Sequence, residues 1–261
     1  MRPVCELTRS EAQRLHGLLF DMDDTLLDRG ELRPEALSAL YQLRDSGLKL
    51  MVVTGRPASW GCVLVRQWPV FAAVMENGAV GVCREGRTTR FLDSVDPAAR
   101  RHRRERVRQL GLELQRRFPE LHCADEYDAR ISDYALDIGE THQVDAEVVS
   151  AAVALARERG FRTSCSSVHL HVTLDPDDKA SGAIRVLRSL LGIDPTAARE
   201  RFAFIGDSGN DAACFAAFRT TIAPRNLSGR PTIGPRFIAT EARAAGFAEA
   251  AHAILQARSS T

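Results

Sequence analysis

Leu18-Leu19-Phe20-Asp21-Met22-Asp23-Asp24-Thr25-Leu26 is the stretch of sequence around which the rest of the chain is organised. A short apolar run that stops abruptly at acidic side chains is typical of a buried β-strand. In open α/β sheets, ligands bind in the crevice at the carboxyl ends of the strands. We therefore expect Asp21 and Asp23 to lie at the edge of a sheet where chemistry is done.

The same pattern recurs along the chain. Three more apolar runs end on polar residues, and they are residues 48–53, 72–75 and 202–205. Residues 33–47 have helical spacing, with Pro34 at the start and Gly47 at the end, and they separate the first two runs. A strand, helix, strand order makes the two strands parallel. The sequence therefore predicts an α/β protein with a Rossmann-like parallel sheet.

Antiparallel signals interrupt this pattern in the middle of the chain. A hairpin is predicted around Gly86, a basic helix over residues 97–118, and an alternating strand over residues 168–174 with one buried and one open face. Such an interruption indicates an inserted α+β cap, or lid, domain. The predicted divisions are a core of residues 1–79 with 175–261 and a cap of residues 80–174.

Composition gives no global reason to expect a nucleic-acid or membrane partner, because the formal net charge of the 261 residues is only +1. The six cysteines are scattered without a C-x-x-C pair, and we find no signal peptide and no apolar run of membrane-spanning length. We expect reduced thiols and a cytoplasmic protein. The first fifteen residues are predicted to be loosely ordered.

The polar residues at these strand and helix ends form a constellation: Asp21 with Asp23, Thr54, Lys179, and Asp207 with Asp211. Carboxylates that converge on one crevice repel one another unless a cation neutralises them. Oxygen ligands favour a hard ion, and Mg²⁺ suits a site with few protein carboxylates. A lysine and a threonine hydroxyl suit a phosphate. Of two nearby aspartates, one can attack phosphorus while the other handles a proton.

In order and spacing, these motifs resemble those of the haloacid dehalogenase (HAD) superfamily of phosphohydrolases. The matching segments are Asp21-Met22-Asp23-Asp24-Thr25, Thr54-Gly55-Arg56, Lys179, and Gly206-Asp207-Ser208-Gly209-Asn210-Asp211. The resemblance implies that Asp21 is a nucleophile that forms an aspartyl-phosphate. It implies that Asp23 protonates the leaving alcohol and then activates water.

The resemblance also implies the remaining site residues. Phosphate would be bound by Thr54, Gly55, Lys179 and Asn210. The Mg²⁺ site would consist of Asp21, Asp23 through its main-chain carbonyl, Asp207, and Asp211 as a supporting residue.

The position of the insertion and the segment Glu76-Asn77-Gly78-Ala79 resemble subfamily IIB, with a type C2 cap, which includes Cof-like and sucrose-phosphate phosphatases. One departure is Asp24, where many relatives with this cap have glycine. The resemblance implies a Mg²⁺-dependent phosphatase that acts on a small phosphorylated metabolite, most simply a sugar phosphate. A phosphomutase and a non-catalytic phosphometabolite-binding regulatory protein are the alternatives, and the oligomeric state stays open.

Two further features have competing interpretations. His169 and His171 share one face of the alternating strand, and they are either ligands of a structural zinc ion, a substrate-facing pair or an exposed pair. The arginine-rich run from Arg100 to Arg108 is either a binding surface for an anion such as nucleic acid or a solvated helix face. We favour the non-zinc and solvated interpretations, and predict a small phosphate ester as the partner, with no nucleic acid and no membrane.

Overall fold

The computed structural model describes residues 1–124, 127–166, 168–228 and 231–259. Its strands are β1 (Arg2–Pro3), β2 (Gly17–Phe20), β3 (Lys49–Val53), β4 (Ala72–Met75), β5 (Val80–Glu85), β6 (Thr88–Asp93), β7 (His122–Cys123), β8 (Asp133–Asp137), β9 (Arg162–Cys165), β10 (His169–Thr173), β11 (Phe202–Ile205), β12 (Thr220–Ala223) and β13 (Phe237–Ile238). Its helices are α1 (Arg9–Gln13), α2 (Pro34–Asp45), α3 (Ala58–Gln67), α4 (Pro97–Arg117), α5 (Ala146–Glu158), α6 (Lys179–Leu191), α7 (Pro195–Arg201), α8 (Ala212–Ala217) and α9 (Arg243–Ser259).

The larger sheet has the strand order β1-β13-β12-β11-β2-β3-β4-β5-β6. All neighbours from β1 to β4 are parallel, whereas β5 and β6 are antiparallel. Apolar clusters cover both faces of this sheet, which is why its central strands are continuously hydrophobic. The α/β class with a Rossmann-like parallel sheet is confirmed.

The register of the central strands sets the position of the polar ends. Phe20 at the end of β2 pairs with Ile205 of β11 on one side and with Val52 of β3 on the other. The residues that follow these strands therefore leave the sheet at the same level.

The smaller sheet, in the order β7-β8-β10-β9, is antiparallel throughout. One of its faces packs on α4 and α5 through Tyr134, Leu136 and Leu170. The alternating residues of the opposite face, which include His169 and His171, are buried as well. The predicted open face of β10 is therefore wrong, because that face lies against the carboxyl edge of the larger sheet.

The predicted hairpin exists, but its place differs from the expectation. Strand β5 pairs with β4, with Met75 opposite Val80, so the hairpin extends the larger sheet rather than the smaller one. This pairing favours a cap boundary after Asp93 instead of at residue 80. We keep the division into a core and an inserted cap as a proposal with that boundary.

The expectation of a loosely ordered N-terminal segment is wrong. Strand β1 pairs with β13, and Thr8 caps α1 through reciprocal hydrogen bonds with Glu11. Val4, Leu7 and Ala12 are buried in the core, which anchors this charged segment.

Within the described ranges, no helix combines the length and the apolar character needed to cross a bilayer.

Two glycines pack closely where the turn after β4 meets the start of α6. Gly78 has φ of +111°, and a Cβ atom there would lie 2.1 Å from the carbonyl oxygen of Asp178. At Gly182, a Cβ atom would lie 2.3 Å from the carbonyl oxygen of Gly78. Backbone cannot move aside as a flexible side chain does, so these positions exclude any side chain.

We expect Gly78→Ala to lower the free energy of unfolding by about 2–3 kcal/mol, because it combines a steric clash with a left-handed backbone. Gly86→Ala is the matched control, since Gly86 has φ of +60° with nothing within 4 Å of the added Cβ. We expect Gly86→Ala to lower the free energy of unfolding by only about 1 kcal/mol. Urea unfolding of both variants measures the difference, and equal losses would contradict the backbone contact.

Candidate active site

The chain makes a wide turn directly after β2. The amide of Asp21 donates to the carbonyl of Ile205 at 2.9 Å, which fixes Asp21 beside the end of β11. The following turn is closed by the amide of Leu27, which donates to the carbonyl of Met22 at 2.8 Å. Asp21, Asp23 and Thr25 are thereby presented at the carboxyl edge of the sheet, as the sequence predicted for the two aspartates.

The structure explains why Asp24 is tolerated where many relatives have glycine. Asp24 has φ of +53°, a left-handed conformation that glycine adopts freely and that aspartate adopts more readily than most residues. Its carboxylate pairs with Arg243 at 2.8 Å, and its carbonyl accepts from Asn226 at 2.9 Å. The departure therefore leaves the turn intact.

Three buried carboxylates meet at this edge. Ligand oxygens of Asp21, Asp207 and Asp211 all lie within 4.8 Å of one another. Burial raises the pKa of Asp207 well above its usual value, and the charges of Asp21 and Asp211 raise it further. Burial likewise raises the pKa of Asp21 to about 7, although Lys179 opposes the shift. When all three carboxyl groups are ionised, their negative charge exceeds the single positive charge of Lys179.

Lys179 is the cation inside the cluster. Its Nζ lies 2.8 Å from a carboxylate oxygen of Asp21 and 2.8 Å from one of Asp211. Burial lowers the pKa of Lys179, but the two carboxylates outweigh burial and raise the pKa above its usual value. The second oxygen of Asp211 accepts from the amides of Asp207 at 3.0 Å and Ser208 at 3.1 Å. Asp211 is therefore engaged on both oxygens.

Asp207 has a different environment from Asp211. Its carboxylate accepts from Thr25 Oγ1 at 2.7 Å and from Asn226 Nδ2 at 3.4 Å, and both donors are neutral. In the described part of the chain, no lysine or arginine forms an ion pair with it. Because Asp207 and Asp21 are hard oxygen donors at the same edge, their surroundings fit a divalent cation.

The predicted phosphate-binding residues lie around the same point. Thr54 is buried, and its Oγ1 accepts from the amide of Arg56 at 3.2 Å, so its hydroxyl hydrogen can still donate to another group. Lys179 also contacts the side-chain oxygen of Asn210 at 3.3 Å. The tertiary structure thus brings Thr54, Gly55, Lys179 and Asn210 to one side of the carboxylates.

A small cavity connects these residues with the cap. Its volume is about 20 Å³, which is room for about one water molecule. It is lined by Asp21, Asp23, Thr54, Gly55, Arg56, Ser166, Val168, His169, His171, Ser208 and Asn210. As it stands in this structure, the cavity has no room for a larger ligand.

Asp23 is held by Arg56, which belongs to the Thr54-Gly55-Arg56 motif but was not among the predicted site residues. Arg56 donates from Nε and Nη2 to the two oxygens of Asp23, both at 2.9 Å. The same guanidinium donates to Glu140 of the cap at 3.0 Å. The signal available in the sequence was the position of Arg56, directly after Thr54 and Gly55 at the strand end.

The two cap histidines are buried, so the exposed-pair interpretation is wrong. His169 Nε2 lies 2.7 Å from Glu140, and His171 Nδ1 lies 2.7 Å from Asp133. Both rings line the cavity. Among the described residues, the acidic cluster is the only group spaced to hold an ion, so zinc at the histidines gains no support.

The arginine-rich run is only partly a solvated face. Arg100 is buried and pairs with Asp93 at 2.6 Å and Asp175 at 2.5 Å, and Arg103 pairs with Asp175 at 2.5 Å. These pairs tie the start of α4 to both segments that join the two sheets. The solvated interpretation is wrong for Arg100, because its spacing along the helix turns it toward those segments.

Buried polar residues that sequence reasoning missed connect the cap to the core. Glu76 accepts from the amides of Ala58 at 2.9 Å and Ser132 at 2.7 Å. Arg130 donates to the carbonyl of Gly55 at 2.9 Å and to Asp133 at 3.1 Å. Glu76 follows an apolar run as Asp21 does, which was a usable signal, whereas the cap residues carry no motif.

The His171–Asp133 pair makes stability depend on pH. Burial lowers the pKa of His171 to about 4, although Asp133 opposes the shift. An unfolded histidine takes up a proton near pH 6.5, so below that pH the unfolded chain binds more protons than the folded chain. The contribution of His171 to stability is therefore complete above about pH 6.5 and is lost as the pH falls toward 4.

We expect the free energy of unfolding of the wild type to fall by about 2 kcal/mol more than that of His171→Asn between pH 7 and pH 5. Urea unfolding at the two pH values measures the difference. His102→Asn is the control, because His102 is exposed on α4 and should leave the pH dependence unchanged. Parallel pH curves for His171→Asn and the wild type would contradict the assignment of a neutral buried imidazole.

Comparison with known proteins finds a family model that matches part of the chain. Residues 18–91 match the family described as haloacid dehalogenase-like hydrolase. No curated protein sequence matches the chain.

Solved structures share the fold over nearly the whole chain. Protein 0175 of Thermoplasma acidophilum has a TM-score of 0.74 at 17% identity, covering 92% of this chain and 98% of its own. The sucrose-phosphatase of Synechocystis sp., solved with sucrose and phosphate, has a TM-score of 0.65 at 16% identity, with coverages of 92% and 98%. A sugar phosphatase of HAD subclass IIB has a TM-score of 0.64 at 17% identity, with coverages of 92% and 97%. Residues 18–91 are thus similar to the haloacid dehalogenase-like hydrolases, as the motifs indicated, and the solved structures share the fold of the chain.

Proposed function

We propose that the protein is a Mg²⁺-dependent phosphatase that hydrolyses a small phosphorylated metabolite through an aspartyl-phosphate intermediate. The observation that carries the proposal is the buried contact of Asp21 with Lys179 at 2.8 Å, beside Asp207 and Asp211. A carboxylate nucleophile, a buried ammonium ion and spare oxygen ligands are the parts that phosphoryl transfer requires. A structure-building role alone would not need three buried carboxylates with one lysine.

In the first half of the proposed reaction, a carboxylate oxygen of Asp21 attacks phosphorus and the bond from phosphorus to the leaving oxygen breaks. Asp23 gives its proton to that oxygen, so the product leaves as a neutral alcohol. Lys179 and Thr54 stabilise the charge that develops on the phosphoryl oxygens. The amide of Met22, 2.8 Å from the first carboxylate oxygen of Asp21, keeps the nucleophile oriented.

In the second half, Asp23 takes a proton from a water molecule as the water oxygen attacks phosphorus. The bond between phosphorus and Asp21 breaks, which releases inorganic phosphate and restores both carboxyl groups. Asp23 thus donates one proton and recovers one proton in each turnover. In the structure both of its oxygens bind Arg56, so that pair must open before Asp23 can serve either step.

Asp21, Asp207 and the main-chain carbonyl of Asp23 would hold Mg²⁺, with Asp211 supporting the site through Lys179. The ion would supply the positive charge that the cluster lacks and would bind a phosphoryl oxygen. Asp207 is the strongest candidate ligand, because its protein partners are only neutral donors.

A sugar phosphate is the substrate class that we favour. Solved structures with the same fold include a sucrose-phosphatase and a subclass IIB sugar phosphatase, although identities of 16% and 17% do not transfer a substrate. A polar cap face with two histidines and Glu140, which contacts Arg56 of the core, suits a hydroxylated leaving group. We further propose a cytoplasmic location with reduced cysteines, and no nucleic-acid or membrane partner.

We expect Asp21→Asn to reduce phosphate release by at least about 10³-fold while the fold is retained, because the amide is a poor nucleophile. The measurement is phosphate release from a panel of phosphorylated sugars, nucleotides and cofactors with Mg²⁺ present or chelated. Asp45→Asn is the matched control, since Asp45 is exposed on α2 and its ion pair among the described residues is with its neighbour Arg44. Near-normal turnover by Asp21→Asn would exclude this residue as the nucleophile.

The metal site can be tested without activity. We expect Mg²⁺ to raise the thermal midpoint of the wild type, with a gain of about 2.7 kcal/mol when the ion is at 100 times its dissociation constant. Asp207→Asn should lose most of this gain, and Asp45→Asn should keep it. Equal stabilisation of Asp207→Asn and the wild type by Mg²⁺ would contradict the assignment of Asp207 as a ligand of the ion.

The same panel separates the two alternatives. A phosphomutase would interconvert isomeric sugar phosphates with little release of inorganic phosphate. A regulatory protein would bind a sugar phosphate in calorimetry with Mg²⁺ and release no phosphate over hours.

A further inference from the structure

His171 is positioned at the cavity by a carboxylate behind it. Its Nδ1 lies 2.7 Å from Asp133 Oδ2, and both side chains are almost completely buried. Arg130 contacts Asp133 at 3.1 Å and also donates to the carbonyl of Gly55 at 2.9 Å. The imidazole is therefore fixed relative to the loop that carries Thr54 and Gly55.

The opposite side of the ring faces that loop. A Cβ atom at Gly55 would lie 3.2 Å from His171 Nε2. This nitrogen therefore lies close to the backbone of Gly55. The ring also lines the cavity together with Asp21, Asp23 and Thr54. Because His171 belongs to the cap side of this cavity, we expect it to lie beside the leaving group of a phosphate ester bound at Asp21.

The chemistry of Nε2 follows from the partner of Nδ1. An imidazole that donates its Nδ1 hydrogen to a carboxylate keeps the lone pair on Nε2. Burial, which lowers the pKa of His171 to about 4, keeps the ring neutral at neutral pH. Such a nitrogen accepts a hydrogen bond from a hydroxyl group and offers nothing to an alkyl chain or a second anionic group.

We propose that His171 is a specificity-determining residue whose Nε2 accepts a hydrogen bond from a hydroxyl of the leaving group. The site then selects phosphate esters of polyhydroxylated alcohols over esters that carry no hydroxyl near the phosphate. Asp133 is the positioning residue that fixes the tautomer. This inference deepens the proposed phosphatase function and rests on it.

The second histidine completes the polar wall. His169 lies nearly perpendicular to His171, with 5.7 Å between ring centroids, and its Nε2 is 2.7 Å from Glu140. Glu140 also forms an ion pair with Arg56, so the negative charge of Glu140 balances the positive charge of Arg56 in this wall. A neutral, hydroxyl-bearing leaving group suits this wall better than a second phosphate.

The test compares two kinds of ester on the wild type and His171→Leu. One substrate is the best sugar phosphate of the panel, and the other is p-nitrophenyl phosphate, which has no hydroxyl near the phosphate. We expect kcat/KM for the sugar phosphate to fall about 10- to 100-fold, whereas kcat/KM for p-nitrophenyl phosphate stays within about threefold. His102→Leu, an exposed change on the same cap, should alter neither.

Two more variants separate recognition from structure. His171→Gln, whose side-chain oxygen can accept at a similar position, should recover part of the preference for the sugar phosphate. Asp133→Asn should lose the preference, because an amide that donates to Nδ1 leaves the hydrogen on Nε2. Circular dichroism and the thermal midpoint check that each variant is folded.

Equal losses on both esters, or no loss on either, would overturn the role of His171. If the wild type releases no phosphate from any ester, the proposed function fails by itself. The comparison is then made as calorimetric binding of the sugar phosphate and of p-nitrophenyl phosphate with Mg²⁺. Equal affinities of the wild type and His171→Leu for the sugar phosphate would overturn the inference in that case.

Discussion

The repulsion among three buried carboxylates is the constraint on which the structure depends. Asp21, Asp207 and Asp211 are brought together because β2 and β11 are adjacent parallel strands whose ends are in register. Burial and mutual charge raise the pKa of Asp207, and Lys179 offsets only part of the negative charge. Holding three carboxyl groups this close costs free energy because their charges repel one another, and the sheet keeps them in place. The arrangement is consistent with a site that binds a cation and a phosphate.

Distant parts of the chain support the turn that presents these groups. Arg243, at the start of α9, pairs with Asp24 in its left-handed conformation, and Asn226 donates to the carbonyl of the same residue. Phe247 of α9 packs edge-on against Phe20, with 5.3 Å between ring centroids. The C-terminal helix therefore buries the strand and holds the turn that follows it, so local strain at Asp24 is offset by contacts more than 200 residues away.

Several buried polar contacts join the cap and the core. Glu76 accepts amide hydrogens from both parts, and Arg130 joins Asp133 to the carbonyl of Gly55. Buried polar groups of this kind are tolerated when they are hydrogen-bonded, and water can replace their partners when the parts separate. Such an interface is compatible with separation of the two parts, and the cavity of about 20 Å³ beneath it has room for about one water molecule.

The sequence by itself determined the parallel core and the acidic strand ends, because an apolar run and its terminal polar residues are local signals that a parallel sheet translates into one shared edge. It did not determine that the hairpin of β5 and β6 pairs with the larger sheet, or that Arg100 and His171 are buried. Those features depend on partners far along the chain, such as Asp175 and Asp133. Spacing reports which side chains share a face, whereas only the tertiary structure decides what that face packs against.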